Sequence, residues 1–199
     1  PIISSTSLNR LFYNNQALTS IGNAAGWDVS NVTDMTHAFN STVLFNQDIT
    51  SWDVSEVTLF GAMFHTSAMN QNISVWNVAK ATNMSYMFTN NTAFNQAIGV
   101  WDTGEVTTMN LMFYGASAFN QDISNFDIAK TTTMSQMFEG ANALSTANYD
   151  ALLIAWEGQT EQADVTFHGG DATYSAGTAA TARAALVTNG WTITDGGQT

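Results

Sequence analysis

A repeating α/β fold is what this sequence predicts, and three observations predict it. First, one phrase recurs. Trp27-Asp28-Val29-Ser30-Asn31-Val32-Thr33 returns as Trp52-Asp53-Val54-Ser55-Glu56-Val57-Thr58, then as Trp76-Asn77-Val78, Trp101-Asp102-Thr103 and Phe126-Asp127-Ile128. These anchors are 25, 24, 25 and 25 residues apart, a period at which stacked-repeat architectures are built. Second, the hydrophobic spacing switches inside each repeat. Ile49, Trp52 and Val54 put Trp and Val on one face of a short strand, whereas Val57, Phe60 and Phe64 are spaced three and four apart, as on one or two helical turns. Third, the repeat stops near residue 144 and helix and strand signals replace it. One strand and one helical turn per about 20–29 residues is the leucine-rich-repeat plan. The expectation is therefore a leucine-rich-repeat-like solenoid over residues 1–144, with short parallel strands on one face and helical turns on the other. A C-terminal α/β cap over 145–199 closes it.

The segment 1–26 reads as an N-terminal capping repeat. Leu8 and Phe12 imitate the later Met and Phe positions, but the Trp-Asp-Val start is missing, as terminal repeats often deviate where one face meets water. Repeats then start at 27, 52, 76, 101 and 126. Eight residues after each anchor come Met35, Phe60, Met84, Met109 and Met134, and four later Phe39, Phe64, Phe88, Phe113 and Phe138. Such in-register columns are core, with Met filling gaps beside aromatic rings. Asn46, Asn70, Asn95 and Asn120, each followed by Gln, sit at the turn into the next strand and are expected to pair with backbone groups there. In the cap, Ser145 or Thr146 can cap a helix running from about Asn148 to Trp156. Asp164–His168 alternates as a strand, Ala176–Thr188 reads as a second helix stopped by Asn189-Gly190, and Trp191–Thr194 as a last strand.

Composition narrows function. Sixteen acidic residues against four basic give a net charge of −12, which argues against nucleic acid and anionic membrane surfaces. There is no cysteine, so disulfides and thiolate metal sites are absent. No run of apolar residues is long enough to span a membrane. His37, His65 and His168 occupy unlike positions, with no nucleophile elbow, phosphate loop or His-x-x-x-His, so no enzyme is expected. His37 and His65 fall in the variable helical stretch and are expected at the surface.

The outward residues of the strand carry the candidate site. Between the buried pair lie Asp28, Asp53, Asn77, Asp102 and Asp127, flanked by small residues such as Ser30 and Ser55. Stacked in register they would form a column about 5 Å apart, in which two charges repel by roughly 0.8 kcal/mol in water. Three readings of that column stand. Each side chain completes its own strand surface by hydrogen-bonding nearby hydroxyls or amides; or the face engages a ligand; or Asp53, Asp102 and Asp127 hold calcium through oxygen ligands. Thr33, Thr58 and Thr107 share a further column, with Thr82 and Thr132 read as offset, which counts against ice binding.

The Phe-Asn-Gln-Asp-Ile-x-x-Trp-Asp-Val-Ser-x-Val-Thr runs, the Met-x-x-Met-Phe after them, and the ending Asn148–Trp156 with Asn189–Gly197 make the chain resemble the BspA-type leucine-rich-repeat bacterial surface proteins. Asn77, Thr103 and Phe126 depart from the pattern. The resemblance implies a right-handed solenoid on a secreted or cell-surface protein used for adhesion or protein interaction, with no catalytic residue. The expected function is thus a non-enzymatic adhesion or ligand-binding module on the cell surface, part of a longer secreted polypeptide. Its expected partner is a protein, peptide or glycan, or a second copy of itself. The alternatives are a structural extender or dimerisation module, calcium-assisted or not, and more remotely ice binding.

Overall fold

A computed structural model describes residues 5–199; residues 1–4, the start of the expected N-terminal capping segment, lie outside the described part. A short 3-10 helix spans Ala24–Gly26. The C-terminal part contains α1 (Thr146–Glu157), β1 (Thr166–His168), α2 (Thr178–Thr188) and β2 (Thr192–Thr194). Among the described residues, none between Trp27 and Ser145 lies in an α-helix or an extended strand. That stretch is joined by single parallel bridges instead: Ser7 to Asp34, Asp34 to Leu59, Leu59 to Asn83, Asn83 to Thr108, and Thr108 to Thr133. Backbone pairing thus runs from each repeat to the next, but seven residues beyond the Trp-Asp-Val phrase where the strand was expected.

The stretch expected to be helical is a run of tight turns. The Met63 amide bonds the Phe60 carbonyl at 3.1 Å, and the His65 amide bonds Ala62 at 3.3 Å. Ala62 and Thr66 adopt φ of 52° and 51°, the left-handed value that the third residue of a type II turn requires. A helix cannot pass through such residues. The remaining amides point to the next repeat: Phe60, Ala62, Phe64 and Thr66 donate to the Asn83, Ser85, Met87 and Thr89 carbonyls at 2.9, 2.8, 2.9 and 2.7 Å. The same pattern joins Met35, His37, Phe39 and Ser41 to Leu59, Gly61, Met63 and His65. The three-and-four spacing of apolar residues survives because successive turns also return every third or fourth side chain to the interior.

That interior is a file of aromatic rings. Phe12, Phe39, Phe64, Phe88, Phe113 and Phe138 follow one another at centroid spacings of 5.3, 5.9, 5.8, 5.7 and 5.3 Å, within the range where offset stacking is favourable. Trp holds the anchor position for a reason Leu could not meet. The buried indole N–H of Trp52, Trp76 and Trp101 donates to Ala24, Ile49 and Ile73 carbonyls of the preceding repeat at 3.0, 3.3 and 3.1 Å. Thr103, a departure from Val, is buried with its hydroxyl bonded to the Asp127 carbonyl at 2.9 Å.

The Asn column stitches the turns together. The Asn70, Asn95 and Asn120 amides bond Oδ1 of Asn46, Asn70 and Asn95 at 2.8, 3.0 and 2.9 Å. Asn120 passes this on to the C-terminal part: its Oδ1 accepts from the Ser145 amide at 2.9 Å and from Asn148 Nδ2 at 2.9 Å. Ser145 in turn caps α1, its hydroxyl accepting from the Asn148 amide at 3.3 Å. Tyr149, Leu152, Leu153 and Trp156 form the buried face of α1. Parallel pairing continues past the last repeat, from Met134 to Phe167 and from β1 to β2 in the register Phe167 to Ile193. Arg183 of α2 bonds Asp195 at 2.7 Å, and Asp195 also accepts from the Tyr149 hydroxyl at 2.9 Å, tying both helices to the chain after β2. Burial, first, and the Asp195 carboxylate beside it push the Tyr149 hydroxyl's pKa far upward.

Candidate functional site

Each residue of the Trp-Asp-Val column closes a turn of its own repeat. Asp28 Oδ1 accepts from the Ser30 amide at 3.1 Å and its hydroxyl at 2.6 Å. Oδ1 of Asp53, Asn77, Asp102 and Asp127 accepts from the amides of Ser55, Ala79, Gly104 and Ala129 at 3.1, 3.2, 3.1 and 2.9 Å. These are Asx turns, which need an acceptor but not a charge, and Asn77 serves as well as its neighbours. All five side chains are exposed. Hydrogen bonds from Ser30 and Ser55 hold the Asp28 and Asp53 carboxyls below the usual range, with Asp28 acting on Asp53 in the opposite sense. Among the described residues, no group of three or more His, Asp or Glu side chains is placed to hold a metal ion.

The threonine column is complete, which corrects the expected offset. Hydroxyls of Thr33, Thr58, Thr82, Thr107 and Thr132 each donate to the carbonyl of the preceding member, from Thr6 to Thr107, at 3.3, 3.2, 3.2, 3.1 and 3.2 Å. Thr82 and Thr132 stand in register with the rest. Their hydroxyl protons are occupied by the backbone, and the adjoining column is mixed: Asp34, Leu59, Asn83, Thr108 and Thr133.

A cleft of about 630 Å³ opens on the turn side, across the repeats starting at 27, 52 and 76. Its origin is a local change in residue size. The register that holds Thr36-His37 in one repeat and Ser85-Tyr86 two repeats on holds Gly61-Ala62 between them. The missing bulk leaves a hollow floored by Gly61 and Ala62 and flanked by His37, His65, Tyr13 and Tyr86. Tyr13 and Tyr86 are 50% and 43% exposed, so each offers ring surface to the cleft. Tyr13 is held edge-on against His37 with centroids 5.8 Å apart, and the Arg10 guanidinium lies 5.4 Å over its ring.

Both imidazoles are half-buried rather than out on the surface as expected. Burial, then the nearby Arg10 charge, pushes His37 below its ordinary pKa, against an upward pull from Asp34. Burial and then His37 itself push His65 down. Asn40 Nδ2 lies 2.9 Å from His37 Nδ1 and can only donate, so the neutral ring carries its proton on Nε2. His65 Nδ1 pairs with the Thr66 hydroxyl at 2.9 Å. Asn83 Oδ1 accepts from the Ser85 amide at 2.8 Å, and among the described residues its Nδ2 has no acceptor. The cleft therefore presents side-chain donors and two aromatic faces. Column-by-column comparison of residue size would have located it; the period alone did not.

A family model described as Mycoplasma protein of unknown function, DUF285, matches the chain twice, over residues 6–100 and 65–163. Neither a curated protein nor a solved structure matches it.

Proposed function

The chain belongs to the family described as Mycoplasma protein of unknown function, DUF285, and from that premise we propose that it is a non-enzymatic adhesion or ligand-binding module, displayed extracellularly on a cell surface and built as a short solenoid. The observation that carries the reading is the cleft at Gly61-Ala62, a concave site with aromatic flanks and convergent polar groups, the form binding sites usually take. The Asp28, Asp53, Asn77, Asp102 and Asp127 column is the weaker candidate contact, since one oxygen of each side chain already closes its turn. Calcium held by Asp53, Asp102 and Asp127 is weaker still, because Asp53 and Asp102 are two repeats apart, roughly 9.6 Å at ordinary strand spacing, while calcium binds oxygens at about 2.3–2.6 Å.

Glycan and peptide arrays probed with the labelled domain test this. Binding should be lost in Ala62→Gln, which fills the hollow, and kept in the Asp53→Ala/Asp102→Ala double variant. The reverse outcome would return the site to the Asp column. A module that binds nothing on either array would favour the structural-extender reading, which the continuous file of stacked rings also suits.

A further inference from the structure

We infer that the cleft between Tyr13 and Tyr86 takes a short neutral oligosaccharide, lying across the repeats with its sugar faces against the two tyrosines and its hydroxyls against His37, His65 and Asn83. The inference rests on the binding-module reading above and names the ligand class for the same cleft. Charge is the first argument. In a chain of net charge −12, the described residues lining the cleft include no Asp, Glu, Lys or Arg. A cationic ligand would find no carboxylate in that lining, and an anionic one would find at its edge only Arg10, already seated over the Tyr13 ring, while meeting the field of the whole molecule.

Hydrogen-bonding capacity is the second. A peptide that added itself as a strand would need free backbone groups. On the cleft floor the amides of Ala62 and His37 donate to Ser85 and Gly61, and the Ala62 and Gly61 carbonyls accept from His65 and His37. What the floor withholds, the flanks supply from side chains: the Nε2 proton of the neutral His37 ring, the His65 imidazole, and Asn83 Nδ2, which has no acceptor among the described residues. Sugar hydroxyls both donate and accept and match such groups, while their C–H faces cover apolar ring surface. Tyr provides that surface with a polar tip.

Dimension is the third. Tyr13 stands three residues on from Arg10, the register mate of Tyr86. Tyr13 and Tyr86 belong to repeats three pairing steps apart, through those at 27 and 52, or about 14 Å along the stack at ordinary strand spacing. That is a span for several sugar rings rather than one.

The test is titration of the wild-type chain with short neutral gluco-, manno- and galacto-oligosaccharides, alongside sialylated and sulfated glycans and a peptide array. Tyr86→Ala and Ala62→Gln are run in parallel. Gln136 holds the register position of Ala62 at φ 55° against 52°, so the Gln variant should fold, and an unchanged melting curve checks that. The expected result is binding of at least one neutral oligosaccharide, weakened tenfold or more by each substitution. Binding confined to peptides or to acidic glycans, and lost in Ala62→Gln, would overturn the neutral-sugar inference while keeping the cleft as a binding site. Sugar binding unchanged in both variants would overturn the cleft itself. No binding to any probe would overturn both the inference and the binding-module reading.

Discussion

Thr66 sits at φ 51°, in a register shared by Ser41, Asn90, Gly115 and Gly140, all with φ between 54° and 77°. A left-handed conformation costs an ordinary L-residue roughly 1–2 kcal/mol, and β-branched residues tolerate it least. Thr66→Gly should therefore stabilise the chain by about 0.5–1 kcal/mol even after the glycine's greater unfolded-state freedom is counted. A rise in Tm of a few degrees in thermal melts checks this, and a fall would show that the Thr66 hydroxyl on His65 outweighs the strain. The two glycines of this register were the sequence's only sign of it. With Ser, Thr and Asn in the register's other members, the three-and-four apolar spacing predicts a helical turn where a chain of type II turns stands. The imidazoles make a second prediction at this scale. His37 and His65 both have pKa values below the ordinary 6.5 in the folded chain. The unfolded chain then binds more protons between its own value and the lowered ones, so the stability these groups contribute is full above about pH 6.5 and falls as the pH drops through the folded values. Denaturant melts from pH 7.5 to 5 should show that decline in the wild type. A His37→Gln/His65→Gln variant should flatten it, and an unflattened slope would assign the effect to other groups.

Elements differ in how much of them the sequence carries. Both C-terminal helices are close to expectation, Thr146–Glu157 and Thr178–Thr188, because caps and stops are local: Ser145 accepts from Asn148, and Gly190 turns the chain at φ 94°. The Trp, Phe and Met columns were legible as core for the same reason, since their period survives whatever backbone carries them. Backbone pairing between repeats was not legible. Which residue donates to which carbonyl about 25 positions on depends on the path of the turns, and the hydrophobic pattern is the same for a helical turn and for two successive tight turns. The Asn column is where local and long-range links meet, and Asn120 is its last member before α1. Asn120→Ala removes the acceptor of the Ser145 amide and one of the two acceptors of Asn148 Nδ2, which keeps its 3.0 Å bond to the Asn120 carbonyl. At about 1 kcal/mol for each net hydrogen bond, more where a group is left unpaired, the loss should be about 2 kcal/mol. Hydrogen exchange should localise it to the first turn of α1. If the loss spreads evenly over the repeats instead, Asn120 supports its own turn rather than the junction.

For the molecule as a whole, charge is the feature that composition exposed at once and the structure leaves uncompensated. Sixteen acidic residues face four basic ones. Lys80–Glu56 and Lys130–Glu105, each at 2.6 Å, are solvent-exposed pairs between neighbouring repeats and contribute little. Arg183–Asp195 at 2.7 Å is the better buried pair, and it lies in the C-terminal part. Repeats with few compensating cations therefore hold their Asp column together against its own repulsion, by turn hydrogen bonds and stacked rings. Screening should help them. At about 0.01 M salt the Debye length is roughly 30 Å, long enough for every carboxylate to act on the others, and at about 0.15 M it is near 8 Å. The Tm should rise by a few degrees over that range in sodium chloride, the reverse of what a fold held by surface ion pairs would show. Calcium and magnesium chloride at equal concentrations should then raise it by equal amounts, because screening and loose condensation on an acidic surface do not distinguish the two ions. A calcium-specific rise, repeated by sedimentation as a calcium-dependent dimer and abolished in Asp102→Ala/Asp127→Ala, would instead make the Asp column a metal-bridged contact between copies. It would also move the weight of the functional reading from the cleft to that face.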